Sequence, residues 1–274
     1  SLERLGWVDG RNVRIDYRLT SGAPENYRKY AAELVALAPD VIVAAGTALR
    51  AVIEATRTIP IVFAFAVDPV GIGHVDSLAQ PGGNVTGFVL FEYSLTAKWL
   101  QMLKEVAPGM TRVAVLRNPI DPVGAGQFAV VQSVAPMLGV DVRAINASDA
   151  TSVERDLTAF ARPGSGGLIV GASIFAYNNR DLIVGLAERL KLPALYFERL
   201  FVARGGLLSY GGNLNDQYRL AAGYVDRILR GEKPANLPVQ APTRYELVIN
   251  MKTAKTLGLT LPPTLLARAD HVIE

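Results

Sequence analysis

Apolar positions follow two alternating patterns along the chain: short, nearly continuous runs and longer stretches with helical spacing. Val41 to Ala45, Ile61 to Phe65 and Val85 to Val89 are short apolar runs, the pattern of strands buried on both faces in a parallel sheet. Between them, Pro24 to about Ala38 sets Tyr27, Tyr30, Ala31, Leu34 and Leu37 on one helical face, Ala48 to Thr56 forms a second helix, and Gly73 to Ala79 a short third one. At the start, Leu2 and Leu5 before Gly6 read as the last turn of an amphipathic helix closed by glycine, and Val13, Ile15 and Tyr17 alternate as a strand. The series then begins again. Helices at Thr96–Val106, Gly126–Leu138, Ser152–Ala161 and Asn179–Leu190 alternate with strands at Val113–Leu116, Val140–Ile145, Leu168–Val170 and Ala194–Phe197. A strand at Leu207–Tyr210, a helix at Asp216–Leu229 and a strand at Tyr245–Asn250 complete the pattern, which predicts an α/β fold with doubly wound parallel sheets.

One device occurs twice. Residues 41 to 65 run from a strand through Gly46-Thr47 into a helix, then through Ile59-Pro60 into another strand. Residues 168 to 197 repeat this with Gly171-Ala172-Ser173 at the turn and Leu192-Pro193 before the closing strand. Ligands of open α/β sheets bind beyond the carboxyl ends of the strands, so two such lobes can present Gly46-Thr47 and Ala172-Ser173 to one cleft. Any doubly wound protein repeats the same grammar, and that reading stays open. Thr47 is placed to cap its helix and leave the amides of Ala48 and Leu49 for an anion, which the helix dipole favours by roughly 0.3–1 kcal/mol, or for water.

Composition narrows the chemistry. The 274 residues, half of them hydrophobic, suffice for one large or two medium domains with real cores. The formal charge of +3 comes from scattered Lys and Arg without a basic block, which argues against a nucleic-acid partner. Every apolar run is broken well short of a membrane span. Zero cysteines exclude disulfides, thiolate metal sites and a cysteine nucleophile. His74 and His271 have no second ligand at metal spacing and read as surface residues. Gly124-Ala-Gly126-Gln-Phe-Ala129 imitates a dinucleotide fingerprint, yet a loop separates it from its strand, and no phosphate-binding G-x-x-x-x-G-K-[ST] occurs. The segments around Ser173 and Ser209 each lack one glycine of a nucleophile elbow. Catalysis, metal and cofactor are therefore not expected. Asp68 and Glu198 follow strand ends and suit acceptors for a cationic or amino group. Aromatic and polar residues crowd the same positions, among them Phe65, Tyr93, Asn118, Asn178 and Tyr196, and would wall a small amphiphile such as an amino acid.

Several pieces of the chain are more specific. Asp68-Pro69-Val70, Pro81 through Gly87, Ser209-Tyr210-Gly211, Leu229-Arg230-Gly231, Lys233-Pro234 and Leu237-Pro238-Val239 closely resemble the substrate-binding proteins of ABC importers related to the tryptophan and tyrosine binders. The resemblance spans essentially the whole chain. It implies a type I periplasmic binding fold: two lobes, 1–88 with 211–239 and 89–210 with 240–274, joined by three crossovers around a ligand cleft. It implies that Gly46 and Thr47 hold the ligand carboxylate, that Asp68 lies in the matching loop, and that Asn118 and Asn178 approach from the other lobe; Ala48, Ser173 and Glu198 join the expected ligand contacts from their own places at helix starts and strand ends. Where the family often reads Asp-Asn, this chain has Tyr177-Asn178-Asn179-Arg180-Asp181. The implied protein is a periplasmic monomer that delivers a small molecule to an ABC permease, without catalysis. An effector-sensing domain of the same fold, or an α/β enzyme, are the alternatives. The family also has a strand before the helix at Leu2, so a longer precursor with that strand and a signal peptide is expected.

Overall fold

The computed structural model describes all residues except 21–23, 120–121 and 162–164. After a 3-10 turn at Leu2–Leu5 come α1 (Pro24–Ala36), β1 (Ile42–Ala45), α2 (Ala48–Ala55), β2 (Ile61–Ala66) and β3 (Val85–Val89). Next are α3 (Ser94–Val106), β4 (Arg112–Arg117), α4 (Pro122–Val134), β5 (Asp141–Asn146), α5 (Ala150–Phe160), β6 (Gly166–Val170), α6 (Ile174–Asn178) and α7 (Arg180–Arg189). β7 (Ala194–Tyr196), α8 (Arg199–Ala203), β8 (Leu208–Gly211), α9 (Leu214–Leu229), β9 (Glu246–Asn250), α10 (Met251–Thr256), α11 (Pro263–Leu266) and β10 (His271–Ile273) end the chain. It divides into two units, Ser1–Phe91 with Leu214–Thr243 and Glu92–Asn213 with Arg244–Glu274, so the backbone passes between them three times.

The first unit has a parallel sheet in the order β1-β2-β3. β2 is central because its sequence, Ile-Val-Phe-Ala-Phe-Ala, carries no polar side chain to spoil either face. One face is covered by α9, whose Ala221, Tyr224, Val225 and Ile228 pack with Val62 and Phe88. This is the crossover that brings helix 214–229 onto the first sheet, and the Tyr224 hydroxyl fastens it by donating to the Pro238 carbonyl at 2.6 Å. Leu49, Val52 and Ile53 of α2 and Ala31 of α1 join Ile61 and Phe63 in the cluster on the other face. At Gly87 a Cβ would lie 2.1 Å from the Phe63 carbonyl oxygen, so β3 can approach β2 this closely only with glycine there.

Three local expectations fail in this unit. Val13, Ile15 and Tyr17 alternate but build no ladder beyond one isolated Asp9–Val13 bridge; the intervening Arg14 and Asp16 pair with each other instead. Among the described strands β1 pairs with β2 alone, and Val43 on it is 47% exposed, not buried on both faces. The helix expected at 73–79 is a series of turns. Gly73 is left-handed there, and the amides of Ile72 and His74 donate back to the carbonyls of Asp68 and Pro69.

The second unit has seven strands in the order β10-β9-β8-β7-β6-β4-β5, parallel except for the antiparallel β8–β9 pair. β6, Gly-Gly-Leu-Ile-Val, is buried throughout and sits between β4 and β7. Leu95, Trp99, Leu100, Leu103 and Val106 recur at helical spacing and form the buried face of α3. Trp99 is fully buried, and its indole donates to the Tyr210 carbonyl at 2.7 Å, so truncation to alanine would cost about 3–5 kcal/mol. Asp149 and Ser152 form a reciprocal capping box that starts α5. The helix expected from Gly126 begins earlier, at Pro122, and the one expected from Asn179 is preceded by the separate turn of α6.

Candidate functional site

The site is built unit by unit from the carboxyl ends of the parallel strands. In the first unit these ends are left-handed: Gly46 after β1 has φ 55°, Phe65 in β2 has φ 67° and Asp68 after it has φ 48°. Glycine adopts this conformation freely and aspartate visits it more readily than most residues, whereas for Phe65 it costs about 1–2 kcal/mol. Phe65 holds it because the register of β2 against β3 shifts between Ala64 and Ala66, which takes Phe65 out of the ladder. Its largely buried ring then meets Tyr218 of α9 edge-on, with centroids 4.7 Å apart. Strain of this kind clusters at functional sites, which makes Phe65 a candidate contact. Asp68 closes its own turn, accepting the Gly71 amide at 3.0 Å.

The helix start beside Gly46 differs from expectation. Thr47 has helical backbone angles, φ −66° and ψ −19°, whereas a capping residue is extended, so its side chain makes no cap. The hydroxyl donates instead to the Tyr27 hydroxyl of α1 at 2.8 Å. The Leu49 amide turns back to the Gly46 carbonyl at 3.2 Å, so of the two amides expected to meet an anion this one is engaged. His74, expected on the surface, is partly buried; burial first, and the Arg50 charge second, hold its imidazole below the usual range.

In the second unit, Asn118 directly follows β4 and Tyr93 directly precedes α3. Both lie against the first turns of α4. A Cβ on Gly124 would be 2.6 Å from the Asn118 carbonyl oxygen, and one on Gly126 would be 2.5 Å from Tyr93 Cζ. The glycine pair that imitates a dinucleotide fingerprint thus admits a backbone and an aromatic ring. Gly171 follows β6, and Ser173 caps α6 by accepting the Ala176 amide at 3.1 Å. Asn178 ends α6, where the Arg180 guanidinium lies over the Tyr177 ring at 5.3 Å and donates to its carbonyl. The ends of β4 and β6 therefore bring Tyr93, Asn118 and Ser173 to one edge of the sheet.

Two expected contacts lie elsewhere. Tyr196 is 0% exposed and stacks on Phe201 at 4.9 Å; it is a core ring rather than a wall, and burial pushes its phenol well above the usual range. Glu198 is 3% exposed and caps α8, accepting the Leu200 amide at 2.8 Å. Burial pushes its carboxyl upward, and that amide bond pulls it partly back. Tyr218 is the neighbour of Phe65 that sequence reasoning missed; its signal is an aromatic residue one turn into the helix that re-enters the first unit.

A concavity of about 640 Å³ opens at the opposite edge of the first sheet, beside Trp7, Asp40, Pro60, Asn84, Gly231 and Lys233. Here Asn84 donates to the Ile59 carbonyl at 2.6 Å, and the Trp7 indole donates to Asp226 at 2.8 Å. The Pro81–Gly87 and Leu229–Pro234 pieces so specific in the sequence thus frame the amino end of the sheet, away from Gly46 and Phe65. Among the described residues no group of three or more His, Asp or Glu could hold a metal ion, and no helix is long and apolar enough to cross a membrane.

Comparison with known proteins agrees with this architecture. The family model described as ABC transporter substrate binding protein matches residues 1–273. A tyrosine-binding protein of Clostridioides difficile is 25% identical over 260 residues, 94% of this chain and 74% of that protein. A conserved domain protein from Vibrio cholerae has 30% identity and a TM-score of 0.92, covering 99% of this chain and 91% of that one. An ABC domain from Streptococcus pneumoniae in complex with L-Trp, at 24% identity and TM-score 0.89 over 99% and 92% of the two chains, shares the fold. That fold is the α/β, parallel-sheet architecture of type I periplasmic binding proteins.

Proposed function

The chain belongs to the ABC transporter substrate binding protein family, and on that premise we propose that it is the solute-binding component of an importer, taking an aromatic L-amino acid or close analogue. The observation that carries the ligand class is the left-handed Phe65, held at a strand end with its ring against Tyr218. The similarity to a tyrosine-binding protein supports the same class. In this reading the Gly46–Ala48 turn takes the ligand carboxylate through backbone amides, while Phe65 and Tyr218 take its ring. Asp68 has an oxygen to offer an ammonium group, and Tyr93, Asn118, Ser173 and Asn178 contribute from the second unit.

A solute held by both units binds the closed form better than the open one and shifts the population toward it, which is hinge closure in energetic terms. The three backbone passages between units supply the segments about which such a motion would turn. Capture then requires no bond making. The protein works outside the cytoplasm as a monomer, and its partner is the membrane permease that receives the closed form.

Calorimetric titration with L-tyrosine, L-tryptophan and L-phenylalanine, with small-angle scattering on the same samples, tests the reading. Saturable binding of at least one of them, accompanied by a smaller radius of gyration, is expected. A folded protein that binds none of the three removes the ligand class, and binding without contraction removes closure.

A further inference from the structure

Gln127 lies on α4 and is 1% exposed, yet both polar atoms of its carboxamide lack a hydrogen-bond partner. Native proteins pair roughly nine-tenths or more of their buried polar groups, and a carboxamide can donate two bonds and accept two. The other unpaired buried atoms have simpler accounts. The guanidiniums of Arg112 and Arg117 lie over the rings of Phe160 and Phe128 at 4.6 and 4.9 Å. Gln217 lacks a partner only at Oε1, and Thr96 at its single hydroxyl. Among the buried amide side chains of the described residues, Gln127 is the one left unpaired at both atoms.

Its position gives this meaning. A Cβ on Gly171 would lie 2.8 Å from Gln127 Oε1 and 3.1 Å from the Leu116 carbonyl oxygen, so the amide occupies the space that a side chain at 171 would fill. The Gly171 amide donates to that same Leu116 carbonyl at 3.0 Å, which places the carboxamide where β4 and β6 end together. Tyr93 packs on the neighbouring Gly126, and Ser173 is two residues beyond Gly171. The unpaired amide is therefore set into the strand-end edge that carries the unit's other candidate contacts, and the glycine at 171 makes room for it.

We propose that Gln127 is a ligand-recognition residue, whose carboxamide takes its missing hydrogen bonds from a polar group of the bound solute or from one water held between them. The proposal rests on the solute-binding reading above and adds a buried specificity contact from the second unit. A solute offering only apolar surface at this point would leave the amide unpaired and be discriminated against.

The test compares the parent protein with Gln127→Met, which keeps the length of the side chain and removes its polar end, and with Gly171→Ala, whose methyl displaces the amide. L-Tyrosine and L-tryptophan are the calorimetric probes, and thermal unfolding is followed without ligand. Gln127→Met should unfold at the same temperature or higher and bind at least about tenfold more weakly. Gly171→Ala should weaken binding similarly, with the double variant no worse than either single one, because both act through one group. A lower ligand-free unfolding temperature in Gln127→Met, or parental affinity, overturns the proposal. If the parent binds neither probe, the ligand class fails, and the ligand-free unfolding of Gln127→Met still decides: a rise supports a spare amide, and a fall overturns it.

Discussion

Replacing Phe65 by glycine separates the two things this residue does. Its left-handed backbone, φ 67°, holds about 1–2 kcal/mol of strain that glycine would release. Glycine's extra freedom in the unfolded chain offsets about 0.5–1 kcal/mol of that gain. On the other side stand the edge-on contact with Tyr218, about 0.5–1.5 kcal/mol, and the burial of most of the ring, about 1–2 kcal/mol. The sum is a ligand-free protein weakened by about 1–2 kcal/mol, against the 3–5 kcal/mol that truncating a core phenylalanine costs. On the proposed reading, in which Phe65 meets the ligand's ring, affinity for L-tyrosine should fall as well, because that contact, about 1–2 kcal/mol, has no compensating release: roughly 5- to 30-fold. Urea unfolding without ligand and calorimetric titration measure the two quantities. A stability loss above about 3 kcal/mol would make Phe65 a core ring, and unchanged affinity would remove it from the site.

Glu198→Gln should raise the unfolding temperature near neutral pH and not at about pH 4. Because burial raises its carboxyl, the folded state holds the proton more tightly, and stability drains away as pH rises from the ordinary carboxylate range through the raised value; equal effects at both pH values would refute this. Trp7→Phe removes the indole donor that, ahead of Arg230, holds Asp226 below its usual range, and should cost about 1 kcal/mol at neutral pH, discounted for partial exposure. That stability is present above the ordinary carboxylate pKa and lost as pH falls through the lowered folded value, so the difference from the parent should narrow as the protein is acidified below the ordinary carboxylate range; a gap that persists in acid would contradict it. Thr47→Val and Tyr27→Phe remove the same hydroxyl pair and should each cost about 0.5–1.5 kcal/mol, with the double variant no worse; additive losses would show that the bond is not shared.

What the sequence reveals and what it hides follow from the length scale of each signal. β2, β3 and α3 announce themselves because a buried element of five or more residues repeats its period several times. α8 and α11, of five and four residues, are shorter than two helical turns and carry no period to read. Val13 to Tyr17 shows the alternation of a strand, but alternation specifies a face, and a ladder also needs a neighbour. At the candidate site, the strand-to-helix turns at Gly46 and Ser173 are legible because small residues at such turns have few other uses. The left-handed turn at Phe65 is not, since it arises from a register shift against β3 that no local composition encodes. Tyr196 reads as a wall when only its place after a strand is considered; the Phe201 ring beneath it comes from a helix too short to foresee. Gln127 did leave a trace: it stands four residues before Val131 and eight before Ala135, polar in a buried line.

Both units are stitched from distant stretches of chain, and synthesis delivers those stretches in order. β2 and β3 are complete by Val89, but α9, which shields Val62 and Phe88, arrives only with residues 214–229. β8 likewise presents a bare edge until β9 pairs with it from Glu246 onward. A nascent chain stopped at Asn213, before α9 and β9, therefore owns two unfinished sheets rather than one finished unit, and exposed edges of that kind invite pairing with other chains. Truncations from the carboxyl terminus should yield aggregates in place of smaller binders.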